Sequence, residues 1–145
     1  MKYTSKCQCG QIDIALNLPK DIKAYTPRAC DCDYCTAQNA MYLSDSKAVL
    51  TISPKHLLKA EQQGSMQASF WLCNNCNDLI AVSCQHQDKM IGAVNADILA
   101  REYDIQTGVT ASPKTLAPTE KLNRWQQVWG EVKIKTQFRK HLEKV

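Results

Sequence analysis

The sequence lacks any long apolar run, and no apolar segment stands near its start. A membrane-spanning helix needs about 20 consecutive apolar residues, and a secretion signal needs a shorter apolar region behind basic residues. The first residues, Met1 to Lys6, are mostly polar and lead directly into Cys7. We therefore expect a soluble cytoplasmic protein that has no membrane partner.

A strong charge of either sign is also missing, because 18 Lys and Arg residues stand against 14 Asp and Glu residues, a net charge of +4. This balance argues against nucleic acid as a partner. The stretch from Lys133 to Val145 is basic but poor in aromatic residues, so we interpret it as a solvated tail and keep nucleic-acid contact as an alternative. With 145 residues, 44% of them hydrophobic, the chain has the composition of one globular domain.

Histidine is scarce, and His56, His86 and His141 have no metal-ligand spacing with the other candidate ligands. Cysteine is abundant instead. The eight cysteines are Cys7, Cys9, Cys30, Cys32, Cys35, Cys73, Cys76 and Cys84. A reducing cytoplasm favours metal binding over disulfides, and most of these cysteines are too close in sequence for relaxed disulfides with their neighbours. Zinc, bound by sulfur at about 2.3 Å, is the preferred occupant, and an iron–sulfur cluster is the alternative.

Two cysteine pairs on separate segments supply four ligands in total, enough for one closed tetrahedral site. The pairs are Cys7 with Cys9 and Cys73 with Cys76. We predict that together they hold a structural zinc ion, which joins the start of the chain to its middle.

The remaining cysteines predict a second zinc site with a different character. Cys30, Cys32 and Cys35 supply three ligands within six residues and leave one coordination position for water or a substrate thiol. Three protein ligands with an open position are the usual arrangement of a catalytic zinc ion. Cys84 ends an apolar run that is typical of a buried strand, so we interpret it as a small apolar side chain, with a ligand or reactive thiol as the alternative.

The pattern of apolar residues indicates a mainly β architecture followed by a helix. Residues 11–17, 47–53, 66–72, 79–84 and 89–95 have the alternation or β-branched and aromatic content of strands, the last two forming a hairpin. From Thr119 onward, apolar residues recur at steps of three or four up to Val132, which predicts a helix. We expect a zinc-binding β domain over residues 1–110, with residues 111–145 as a helical and basic extension packed on it.

Three cysteine motifs in this order resemble the glutathione-dependent formaldehyde-activating enzymes, a family that includes centromere protein V. The motifs are CxCG at Cys7–Gly10, CxCxxC at Cys30–Cys35 and CxxC at Cys73–Cys76. The resemblance implies zinc-clamped folded antiparallel sheets, called a β-tent. It also implies a structural zinc on the first and last motifs and a second zinc, associated with glutathione, on the central motif. Asn77 departs from the family pattern, which commonly has Gly after the CxxC.

The resemblance and the open coordination position together suggest an enzyme. The first hypothesis is a carbon–sulfur lyase that condenses glutathione, or a similar thiol, with formaldehyde or another small aldehyde. Cys30, Cys32 and Cys35 would then be the catalytic residues, because their zinc ion would bind the thiol and lower its pKa. The alternative is a non-catalytic, zinc-stabilised binding module in which both metal ions are structural and Cys84 completes the second site.

Overall fold

The computed structural model describes residues 1–30, 40–62, 68–111 and 118–136, and strands dominate these ranges. The strands are β1 Lys2–Lys6, β2 Asp13–Asn17, β3 Arg28–Cys30, β4 Met41–Leu43, β5 Val49–Ser53, β6 Leu58–Gln62, β7 Ser69–Cys73, β8 Leu79–His86, β9 Lys89–Asn95, β10 Val109–Ala111 and β11 Gly130–Ile134. The helices are α1 Ala96–Leu99 and α2 Pro118–Val128, with short 3-10 turns at Ile22–Ala24 and Lys55–Leu57. The predicted mainly β fold is confirmed.

Strand β9 is where the two parts of the sheet meet. One part runs in the order β1-β2-β5-β11-β9-β4-β3-β10, and the other runs β6-β7-β8 and joins β9 through β8. Along one edge β9 pairs with β8, while its other edge pairs first with β11 and then with β4. Most pairs are antiparallel, but β5 with β11 and β3 with β10 are parallel. This folded sheet is consistent with the predicted β-tent.

The strand predictions follow from side-chain alternation. Ile14 and Leu16 on β2 are buried while the residues between and after them are partly or fully exposed, so β2 has one face in the core. Strand β8 is buried on both faces over Leu79–Cys84, as its continuous apolar run suggests. The predicted hairpin of β8 and β9 is present, and its turn uses Gln87 with a positive φ of 56° instead of a glycine.

The chain after residue 117 contains both a helix and a strand. The helical prediction is confirmed over Pro118–Val128, but it was wrong for Val132, which lies on β11 between β5 and β9. Gly130 is the first residue of β11, and a Cβ atom there would lie 2.3 Å from the carbonyl oxygen of Ala48. A side chain at this position would therefore prevent β11 from entering the sheet.

Two tryptophans attach α2 to the sheet. The rings of Trp125 and Trp129 are stacked, with centroids 4.6 Å apart and an interplanar angle of 3°. Both rings pack against a small apolar cluster separate from the main core. The buried members of this cluster are Ala40, Ala68, Phe70, Leu72, Leu79, Val82 and Ala93. In the described ranges, no helix is long and apolar enough to cross a membrane.

Candidate metal centre

The first cysteine pair lies in the loop between β1 and β2. The backbone N–H of Gly10 donates to the carbonyl oxygen of Cys7 at 2.9 Å, and Gly10 has a φ of 81°. This left-handed conformation favours glycine, which has no Cβ to clash. The N–H of Ile12 donates to Sγ of Cys7 at 3.3 Å. The tight turn thus brings Cys7 and Cys9 side by side and gives one sulfur a backbone donor.

The second pair lies in the loop between β7 and β8. The N–H of Asn77 donates to the carbonyl oxygen of Cys73, and the N–H of Cys73 donates to the carbonyl oxygen of Asp78, both at 2.9 Å. Asn77 has a positive φ of 62°. Asparagine is among the few residues other than glycine that adopt this conformation readily. Asn77 therefore adopts a backbone conformation that the Gly common in the family would also favour.

The two loops bring four sulfur atoms together. The Sγ atoms of Cys7, Cys9, Cys73 and Cys76 all lie within 4.8 Å of one another. The separation is 3.5 Å between Cys7 and Cys9 and 3.6 Å between Cys9 and Cys73. Four sulfurs around one tetrahedral zinc ion at about 2.3 Å would be roughly 3.8 Å apart. The donor set and its spacing therefore fit a four-coordinate thiolate-binding ion.

The four cysteines differ in their exposure and acidity. Cys7 and Cys73 are buried, Cys76 is partly buried and Cys9 is exposed. Burial raises the pKa of Cys7, and it raises the pKa of Cys73 to about 12. The pKa of Cys9 is instead lowered to about 6, mainly by a hydrogen bond with the Asn75 side chain. Because buried thiolates are costly without a cation, a bound metal ion would stabilise the ionised form of this cluster.

Comparison with protein families identifies the chain. The sequence profile of the glutathione-dependent formaldehyde-activating enzymes matches residues 2–125, which include all three cysteine motifs. This chain belongs to that family. The resemblance seen in the cysteine motifs is thereby confirmed, and it extends through most of α2.

Comparison with a solved structure supports the fold of this chain but gives no information about its function. The crystal structure of a protein from Rhodobacter sphaeroides superposes with a TM-score of 0.57 and covers 77% of this chain and all of that chain. The two sequences are 22% identical, so this likeness shows a shared fold alone. A search of curated proteins found no match.

The central motif of the family lies mostly outside the described residues. Cys32 and Cys35 are in the range 31–39, which the structure does not describe, and Cys30 is the last residue of β3. The backbone of β3 is held between β4 and β10, where Cys30 is in register with Ala111. The catalytic site on this triplet therefore stays a prediction, and the start of the motif is attached to the sheet.

Cys84, His56 and His86 are not members of the four-cysteine cluster, which is the one such cluster in the described part of the chain. Cys84 is a buried residue of β8, 6% exposed, and burial raises its pKa to about 11. These properties support its interpretation as an apolar filler. His86 lies within 3.3 Å of the Gln126 side chain, and His56 is in an exposed turn. His141 falls outside the described residues.

Sequence reasoning missed two residues beside the cluster, Asp78 and Arg101. The carboxylate of Asp78 accepts the backbone N–H of Gln8 and both ends of the Arg101 guanidinium. Asp78 carried a weak signal, since it follows the CxxC motif by two positions. Arg101 carried none, because 23 residues separate it from Asp78 and only the folded chain pairs them.

Proposed function

We propose that this protein is a zinc-dependent carbon–sulfur lyase that condenses glutathione with formaldehyde. The observation that carries this proposal is the family match over residues 2–125, a range that covers the three cysteine motifs. The convergence of the first and last motifs on a single four-sulfur cluster supports it.

We assign different roles to the two cysteine sets. Cys7, Cys9, Cys73 and Cys76 hold a structural zinc ion, since their sulfurs can fill all four positions. Cys30, Cys32 and Cys35 hold the second ion, which supplies one chemical effect when bound: it lowers the pKa of a coordinated thiol so that thiolate is available at neutral pH. With three protein ligands, such an ion would have one position left for the substrate sulfur.

The proposed reaction needs no oxidant or reductant. The thiol sulfur forms a bond to the aldehyde carbon, the carbon–oxygen π bond breaks, and the thiol proton ends on that oxygen to give a hemithioacetal. The chain's contribution is positioning, which lowers the entropic cost of bringing two small molecules together. The residues on either side of the range 31–39 are held in the sheet: Cys30 belongs to β3, and Met41, at the start of β4, donates its N–H to Oδ1 of Asn95 at 3.3 Å.

Asn95 is well suited to hold that attachment point. Its side chain is buried, and its amide nitrogen donates to the carbonyl oxygen of Leu79 at 2.9 Å. Leu79 is the first residue after the loop that carries the second cysteine pair. Asn95 therefore connects Met41, close to the central motif, to Leu79, next to the loop of the second cysteine pair, through hydrogen bonds.

We also propose that the β domain over residues 1–110 and the extension over residues 111–145 form one folding unit. Strand β11 pairs with β5 on one side and β9 on the other, which supports this arrangement. A cytoplasmic location is proposed because the five described cysteines form no disulfides, and unpaired cysteines are typical of a reducing compartment.

The test is calorimetric titration of zinc-loaded protein with glutathione, in wild type and in a Cys32→Ser variant. We expect saturable binding to wild type and at least a tenfold loss in the variant, since a ligand to the proposed catalytic ion is removed. A Cys84→Ala variant is the control and should bind as wild type does. Absence of binding to wild type, or equal binding to Cys32→Ser, would overturn the proposal in favour of a non-catalytic module.

A further inference from the structure

The carboxylate of Asp78 joins the two loops of the four-cysteine site. Its Oδ2 accepts the backbone N–H of Gln8 at 2.7 Å, and Gln8 stands between the two cysteines of the first loop. The carbonyl oxygen of the same Asp78 accepts the N–H of Cys73 at 2.9 Å, inside the second loop. One residue therefore holds both halves of the site in place without contacting the four sulfurs in any described hydrogen bond.

Arg101, directly after α1, fixes the orientation of this carboxylate. Its Nη1 donates to Oδ2 of Asp78 at 2.8 Å and its Nη2 donates to Oδ1 at 3.1 Å. Such a forked pair is stronger and more directional than a single hydrogen bond. The Asp78 side chain is only 14% exposed, so solvent screens this pair less than it screens a surface pair.

Arg101 also has a second, weaker acidic neighbour. Asp97 lies one helical turn earlier, with its carboxylate oxygen 3.8 Å from Nη2 and its side chain 52% exposed. Asp97 and Asp78 thus place the same charge beside the same guanidinium. Only Asp78 also holds the Gln8 amide, so a comparison of the two residues separates charge from attachment.

Exposure of the cluster is uneven, and this suggests the direction in which an ion would leave. Cys9 is the one exposed member of the four, whereas Cys7 and Cys73 are buried in the core. An open cleft of about 430 Å³ adjoins the first loop and is lined by Cys7, Gln8, Arg101 and Glu102, together with Ser5 and Lys6. The cleft thus borders the loop that carries Cys9 at Gln8, the residue before Cys9.

We propose that Asp78, oriented by Arg101, is a positioning residue that slows the release of a divalent, thiolate-binding metal ion from this site, and that the ion leaves past Cys9. Release of the ion requires its bonds to the cysteine sulfurs to break one after another. While the Gln8 amide is held by Asp78, a detached Cys9 stays beside the ion and rebinds before a second sulfur is lost. Without that bond, the loop that carries Cys9 moves away and a competitor takes the open position.

The experiment follows zinc release from the loaded protein to an excess of a chromogenic chelator. The variants are Asp78→Asn, Arg101→Gln and, as the matched control, Asp97→Asn. Outer-shell substitutions typically change metal affinity by about 10- to 100-fold, so we expect at least a tenfold faster release from Asp78→Asn. Arg101→Gln should release zinc faster by about threefold or more, and Asp97→Asn should stay within about twofold of wild type.

Two outcomes would overturn the proposed role of Asp78 and Arg101. Equal acceleration in Asp78→Asn and Asp97→Asn would mean that charge alone controls release, and an unchanged rate in both Asp78→Asn and Arg101→Gln would mean that neither residue matters. Circular dichroism of each loaded variant establishes that it is folded. If Asp78→Asn does not fold, Arg101→Gln decides, with an unchanged rate counting against the proposal.

The exit route has its own readout. Iodoacetamide added during slow release labels each sulfur as it becomes free, and peptide mass spectrometry gives the order. We expect Cys9 to be labelled before Cys73, and labelling of Cys73 at least as early as Cys9 would refute the route. These measurements involve no glutathione, so their outcome is independent of the lyase proposal.

Discussion

The Sγ atoms of Cys9 and Cys73 lie 3.6 Å apart although 64 residues separate them in the chain. This contact joins the β1–β2 loop to the β7–β8 loop, and these loops belong to the two different parts of the sheet that meet at β9. A metal ion at this point would therefore connect both parts of the fold, and its loss should affect the whole domain.

Removing one sulfur from the site should destabilise the protein strongly. Structural zinc contributes apparent binding energies of about 10 kcal/mol or more, which exceeds the stability of many small domains. We expect Cys9→Ser to lose about one zinc ion per chain and its cooperative thermal transition, as measured by elemental analysis and calorimetry. Cys84→Ala is the control, which should keep its metal. A metal-free Cys9→Ser protein that still melts cooperatively would contradict the structural role.

Gly130 should be intolerant of any side chain. A Cβ atom there would lie 2.3 Å from the oxygen of Ala48 and 2.5 Å from that of Asp45, both backbone atoms that cannot rotate away. We expect Gly130→Ala to lower the free energy of unfolding by roughly 3 kcal/mol or more in urea titrations, since β11 must shift. Gly10→Ala is the comparison: nothing lies within 4 Å of its Cβ, and its φ of 81° alone should cost about 1–2 kcal/mol.

The loop conformation at Asn77 gives a paired test. Because φ is 62° there, Asn77→Gly should keep the loop and change the free energy of unfolding of the zinc-loaded protein by less than about 1 kcal/mol. Asn77→Val, whose branched side chain disfavours positive φ, should lower it by about 2 kcal/mol. Both variants lose the hydrogen bond from Lys59, so their difference reports backbone conformation. Equal stability of the two variants would exclude that explanation.

Burial of Cys84 should make stability depend on alkaline pH. Its folded pKa is raised from 9.0 to about 11, so between these values the unfolded chain loses the thiol proton more readily than the folded chain. This contribution to stability is complete below pH 9 and is lost as the pH rises toward 11. We expect the stability difference between wild type and Cys84→Ala to shrink over that window in urea titrations. If the stability difference between wild type and Cys84→Ala stays constant over this pH range, burial does not raise the pKa of Cys84.

Much of this fold was predictable because its signals are local. The alternation of Ile14 and Leu16 indicates a strand with one buried face, and the continuous apolar run from Leu79 to Cys84 indicates a strand buried on both faces. The structure has a strand at each place, β2 and β8. The prediction wrongly extended the helix to Val132, because the spacing of Val132 from Val128 suits a helix. That spacing gives no information about β5, the strand with which Val132 pairs. The spacing of apolar residues also does not indicate that the helix must end before Gly130, whose backbone lies close to those of Ala48 and Asp45.

By itself, the sequence determined how many sulfurs each segment can present to a metal ion, since the spacing of cysteines within each motif fixes that number. The motifs predicted that Cys7 and Cys9 meet Cys73 and Cys76, and the structure brings these four sulfurs together. Tertiary structure alone paired Asp78 with Gln8 and Arg101. Those contacts join residues far apart in the chain, and such pairings depend on how the strands pack rather than on any local pattern.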